Sequence, residues 1–148
     1  MASKLRMLSW ILLALVGGLT LLGALASVSV AYFQEDDPMG GVMPLSELAA
    51  DHAEVATMLR ARRGTSAAFG AGYGLLFLVI VLIPYRRGEL WAWWSLLLAT
   101  LVTSGIILLR KPILGTNLGL GAATIPIAVV VIALLLDVSR LKDARARS

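Results

Sequence analysis

The sequence predicts an all-α polytopic membrane protein, a four-transmembrane-helix bundle with an amphipathic helix in the first extracytoplasmic loop. Three observations predict it. Hydrophobic residues make up 59% of the 148, and mean hydropathy is +0.87, beyond the roughly half-apolar composition of soluble domains. Charged residues are only 15% and gather in a few clusters. Between the clusters lie four apolar runs free of Asp, Glu, Lys, Arg and His, each close to the ~20 residues that cross a bilayer core. The whole chain reads as one membrane domain with spans over about 8–33, 67–84, 90–109 and 118–136.

The first span follows a short head carrying Lys4 and Arg6. The same basic head and apolar core, with Ala24-Leu25-Ala26 before Ser27, also fit a cleaved signal peptide. Apolar character continues through Val28, Val30, Ala31, Tyr32 and Phe33, and this length argues for a retained span. Next come the acidic cluster Glu35-Asp36-Asp37 and the turn formers Pro38, Gly40, Gly41 and Pro44. The amphipathic helix is expected over 45–63. Ser46 stands at its N-cap, Glu47, Asp51 and Glu54 in its first half, and Arg60, Arg62 and Arg63 in its last turn. Gly64 follows as C-cap, so the charges complement the helix dipole. Leu45, Leu48, His52, Val55 and Leu59 form its apolar stripe.

The second span ends at Pro84, and the turn Arg86-Arg87-Gly88-Glu89 leads into the third. That span stops at Arg110-Lys111-Pro112, since proline interrupts a helix. Gly115-Thr116-Asn117 makes the next turn. After the fourth span, Asp137, Arg140, Lys142, Asp143, Arg145 and Arg147 form a polar tail. No internal repeat suggests an inverted transporter fold.

Basic residues set the orientation. The head, the Arg86-Arg87 turn and the tail together carry eight Lys and Arg, against five in the long loop and the Arg110-Lys111 turn. The termini are therefore expected in the cytoplasm, the chain in the plasma (inner) membrane, and the amphipathic helix outside. The sequence pI of 10.0 comes from these run-end cations, so lipid and not nucleic acid is the expected partner.

The turn supplies the first candidate contacts. Arg86 and Arg87 suit a lipid headgroup or a cytoplasmic partner, and Trp91 and Trp94 suit the headgroup layer. Gly88 allows a tight connection, and Glu89 can cap the third span. The segment Tyr-Arg-Arg-Gly-Glu-x-Trp-Ala-Trp-Trp, here Tyr85 to Trp94, resembles a hairpin of small uncharacterised bacterial integral membrane proteins. That resemblance covers the second and third spans and implies a four-helix membrane family. It implies no activity, and no site residue comes with it.

The second candidate is a polar site of Asp51, His52 and Glu54. Carboxylates beside an imidazole can bind a divalent cation or exchange protons. Their spacing matches no metal motif, and one helix offers few converging ligands. Partners such as Asp36 or Asn117 would have to complete an enzyme site at the outer face. With no cysteine, thiolate chemistry and disulfides are excluded, and no cofactor is expected. No span carries the buried ionisable group that proton-coupled transport uses.

Small residues recur at four-residue intervals in three spans: Ala14 and Gly18, Gly70 and Gly74, and Ser95, Ala99 and Thr103. Such stripes let helices pack closely within a bundle or associate with other chains. The leading expectation is therefore a non-enzymatic accessory or interaction subunit of a membrane complex, with self-association as one form. A binding or transport module for a lipid or small apolar molecule, covered by the 45–63 helix, is the alternative.

Overall fold

The computed structural model describes residues 2–34, 38–39, 43–117 and 120–141. In chain order these form α1 (Ala2–Phe33), β1 (Pro38–Met39), β2 (Met43–Pro44), α2 (Leu45–Asp51), α3 (Ala53–Ile80), a π-helical segment (Val81–Tyr85), α4 (Leu90–Leu108), α5 (Arg110–Leu114) and α6 (Leu120–Leu136). Apart from the two-residue antiparallel pairing of β1 with β2, the elements are helical. Three helical stretches are long and apolar enough to cross a membrane: Lys4–Phe33, Ala53–Tyr85 and Leu90–Leu114. The fourth apolar run forms a shorter helix. The chain divides into two compact units, Met1–Gly18 with Leu76–Ser148, and Leu19–Leu75. The acidic cluster Glu35-Asp36-Asp37 and the tail beyond Leu141 lie outside the described residues.

In the Leu19–Leu75 unit the expected 45–63 helix takes a different form. It breaks at His52, whose backbone is extended (φ −143°, ψ 68°). Asp51 and His52 are weak helix formers in an otherwise Leu- and Ala-rich stretch, so the break falls where propensity is lowest. Helix α3 then restarts and runs straight through Gly64. Gly64 is thus no C-cap; a side chain there would overlap the Tyr32 ring of α1. The arginines, read as balancing their own helix dipole, serve α1 instead. Arg60 donates from Nε to Ala31 O (3.1 Å) and from Nη2 to Tyr32 O (3.4 Å), supplying donors to the last-turn carbonyls that a helix end leaves open. Arg63 Nε donates to Ser27 Oγ at 3.3 Å. Ser46 does not cap either: Pro44 holds that position.

The Gly70 and Gly74 pair packs as expected of small residues. A Cβ on Gly74 would sit 2.8 Å from Leu21 N, and one on Gly70 3.3 Å from the Ala24 Cβ, so the backbones of α1 and α3 nearly touch there.

In the other unit, α6 buries Val130, Ala133 and Leu134, and Asp137 in the turn just after it extends the same i, i+3, i+4, i+7 spacing. Helix α4 buries Ala92, Trp93, Leu96, Thr100 and Ser104. The expected stripe of Ser95, Ala99 and Thr103 is therefore one position off the packing face. Thr100 and Ser104 satisfy their hydroxyls on the carbonyls four residues back, Leu96 O at 2.7 Å and Thr100 O at 2.5 Å. Likewise Gly17, not Gly18, is the contact glycine of α1. A Cβ on Gly17 would lie 2.9 Å from Leu78 Cγ, while Gly18 has nothing within 4 Å.

Pro84 does not end its helix where the sequence suggested, whereas α4 does end at Leu108, one residue short of the expected 109. Pro84 lacks the N–H that would bond four residues back, and the turn widens around it; Arg86 N–H reaches Val81 O, an i−5 bond. Helix continues to Arg87, and Gly88, at φ +88°, makes the turn. Pro112 sits in the first turn of α5, where a missing donor costs nothing. Helix α5 in turn stops at Gly115 (φ +64°).

Candidate functional site

The pattern on α6 carries an acid onto the buried stripe. Asp137 is fully buried and Arg140, one turn on, is 8% exposed. Such groups are costly to desolvate unless paired and hydrogen-bonded. Arg140 Nη2 lies 2.5 Å from Asp137 Oδ2, and Arg6 Nε on α1 lies 3.5 Å from Oδ1. One carboxylate thus holds two guanidiniums from opposite ends of the sequence.

Tyr85 completes the cluster. Its ring lies under the Arg140 guanidinium, 4.2 Å from carbon to centroid, a cation–π contact. Its carbonyl accepts from Arg140 Nη1 at 2.6 Å and from Gly88 N at 3.1 Å. Ser9 Oγ donates to Ala133 O (2.7 Å), leaving the Tyr85 hydroxyl, also 2.7 Å from Ser9 Oγ, to donate to Ser9. Trp93 Nε1 donates to Leu134 O at 3.2 Å. Ser9, Tyr85, Trp93, Asp137 and Arg140 are all buried. The start of α1, the end of the π segment, the start of α4 and the end of α6 are thereby tied by polar contacts.

The sequence places Asp137 and Arg140 in a polar tail, uses Arg6 only for orientation and Tyr85 only as part of the hairpin, and gives Ser9, inside the first span, no role. The available signal was the α6 stripe, which reaches Asp137 if carried one residue past Leu136.

The expected contacts of the turn lie beside this cluster. Arg86 and Arg87 are exposed, and the Arg86 guanidinium lies over the Trp10 ring at 4.8 Å. Trp91 and Trp94 are about half exposed, at 53% and 46%. Trp94 meets buried Trp93 edge-on, ring centroids 5.0 Å apart. Glu89 occupies the N-cap of α4 without a side-chain capping bond. Its Oε2 accepts from Trp91 Nε1 at 2.5 Å instead, so it orients an indole.

Asp51, His52 and Glu54 are each exposed. His52 lies on no buried face, because the break there turns it out of the stripe assigned to it. Among the described residues no group of three or more His, Cys, Asp or Glu is placed to hold a metal ion. Of the partners considered for His52, Asp36 lies outside the described residues, and Asn117 is exposed in the other unit. Beside His52, but not lined by it, a half-open groove of about 450 Å³ runs along Ala49, Ala53 and Ala56 between Leu45 and Arg60.

No protein-family model matches the chain, and neither a curated protein nor a solved structure shows significant similarity to it.

Proposed function

We propose that the chain is a non-enzymatic integral membrane protein, an accessory or interaction subunit of a membrane complex. In this reading it crosses the plasma (inner) membrane four times with both termini cytoplasmic. One observation carries the functional part. Of the buried groups best suited to chemistry, Arg140, Tyr85 and Ser9 bond to one another and to backbone carbonyls, and Asp137 is held by ion pairs to Arg140 and Arg6, its oxygens accepting no hydrogen bond. What they accomplish is to hold helix ends together.

Helix lengths support the membrane part. The stretch Ala53–Tyr85 has 33 residues, about 50 Å at 1.5 Å per residue. A core of about 30 Å takes its apolar part and leaves the Arg60 to Arg63 turn in water. Helix α6, with 17 residues, is about 25 Å long and needs local thinning or the turn beyond it to complete a crossing. The likeness of Tyr85 to Trp94 to a hairpin of small bacterial membrane proteins fits the same reading and adds no activity.

The test is native-membrane extraction in mild detergent followed by mass measurement of the intact tagged species. A second polypeptide, or a second copy, at fixed stoichiometry is the expected result. The monomer alone, recovered repeatedly across gentle conditions, overturns the proposal. A binding module for a lipid or small apolar molecule is the second reading, favoured by the Ala-walled groove, whose volume is in the range of small-ligand pockets. Filling it with Ala53→Trp should then expel a co-purified lipid; unchanged lipid content removes that reading.

A further inference from the structure

We infer that Arg86, laid on Trp10 with Arg87 beside it, is the docking site for the phosphate of an anionic phospholipid headgroup. This rests on the membrane reading above and adds a ligand to it. Among the described residues of the unit that holds this cluster, Glu89 and Asp137 are the only carboxylates. Both are committed: Glu89 to the Trp91 indole, Asp137 to Arg140 and Arg6. Arg86 and Arg87 are exposed, and no carboxylate among the described residues pairs with either. An arginine cannot shed its charge in protein, so an anion arriving at this turn meets two cations that no described carboxylate neutralises.

The geometry favours a phosphate. Stacking on Trp10 uses the face of the Arg86 guanidinium and restricts its orientation. A guanidinium held over a ring in this way still has its fork of N–H donors to offer two phosphate oxygens. The surroundings favour a lipid over a soluble anion. Ile83 and Leu82, three and four residues before Arg86, are exposed at 47% and 43%, as is Met7 of α1 at 55%. A headgroup on Arg86 would leave its acyl chains along these side chains. Trp91 and Trp94 stand half exposed at the same end, where indoles settle at a headgroup boundary.

The full-length chain in detergent, titrated separately with phosphatidylglycerol and phosphatidylcholine of matched chains and read by native mass spectrometry, tests this. The wild-type chain should retain phosphatidylglycerol in preference. Arg86→Ala should weaken that binding about five- to tenfold with phosphatidylcholine unchanged. Arg86→Lys should recover part of the loss, since a point charge returns without the fork. Trp10→Leu should weaken binding with the charge intact, and Lys111→Ala, in the turn after α4, should have no effect. Equal retention of both lipids by the wild-type chain overturns the inference, as does equal loss in Arg86→Ala and Lys111→Ala. Full competition by millimolar inorganic phosphate would assign the site to a free anion and overturn the lipid. Failure to enter nanodiscs of either lipid would instead bring down the membrane reading itself.

Discussion

Removing the Asp137 carboxylate is the most direct perturbation of the buried cluster. Asp137→Asn keeps the shape and leaves Arg140, whose side chain is 9% exposed, without the anion now 2.5 Å from its Nη2. Breaking a buried pair from one side costs about 3–5 kcal/mol, because the remaining charge is stranded. Arg140→Met strands the acid instead, with a milder result. Arg6, at 3.5 Å and 41% exposed, still faces Asp137, and Tyr85 O keeps its bond from Gly88 N. The double variant strands neither partner, so its cost should fall short of the sum of the singles by about 2 kcal/mol, within the usual range for contacting residues. The assay is reversible unfolding in mixed dodecylmaltoside and dodecyl sulfate micelles, followed by circular dichroism. Additivity within about 0.5 kcal/mol, or an Asp137→Asn cost below about 1 kcal/mol, would show that the pair is not the buried, coupled unit described.

Three further outcomes can be checked, two in the same micelles and one in intact cells. Ser9→Val removes the acceptor for the Tyr85 hydroxyl and the donor to Ala133 O, and should cost about 1–3 kcal/mol. Tyr85→Phe should cost less, because Ser9 keeps its bond to Ala133 O. Gly74→Ala should destabilise by about 1–3 kcal/mol, since its Cβ would meet Leu21 backbone at 2.8 Å. Gly72→Ala, with nothing within 4 Å, should instead gain up to about 1 kcal/mol of helix propensity. Because the chain has no native cysteine, single-cysteine labelling is direct. A membrane-impermeant maleimide on intact spheroplasts should modify Glu47→Cys and Lys111→Cys, and Arg87→Cys only after permeabilisation; the opposite pattern reverses the proposed orientation.

Composition and run length were enough to read the helical class and its long apolar helices, because burial in helices of that length needs only uninterrupted hydrophobicity. Where each helix ends was less legible, since local punctuation competes with packing. Gly64 follows three arginines and looks like a cap, yet the contact with Tyr32 gives the glycine its use and α3 runs on. Pro84 and Pro112 look like stops, yet a π turn absorbs one and a first-turn position tolerates the other. The polar cluster was least legible. Its members lie on four separate segments, and each alone reads as a flanking residue: Ser9 inside an apolar run, Tyr85 at an interface, Asp137 and Arg140 in a tail. Their meeting is a property of helix order. The turn arginines were visible as cations, but the pairing of Arg86 with Trp10 depends on which face of α1 is presented to residue 86.

The cluster also bears on topology in a way that the charge count does not. If the apolar helices span a bilayer, Ser9 and the Tyr85 hydroxyl, 2.7 Å apart, must lie on one side of it. Tyr85 O and Arg140, at 2.6 Å, must do so too. An odd number of crossings between either pair would place about 30 Å of hydrocarbon between the partners. The chain between residues 9 and 85 therefore crosses an even number of times, and so does the chain between residues 85 and 140. The first leg holds α1 and α3; the second holds α4, and only α6 is available to return it. On the proposed membrane reading, α6 would therefore be the returning crossing despite its 17 residues. They also set Arg6, Arg86 and Arg140 on a common face. In the proposed orientation, the eight-to-five excess of basic residues is what assigns that face to the cytoplasm.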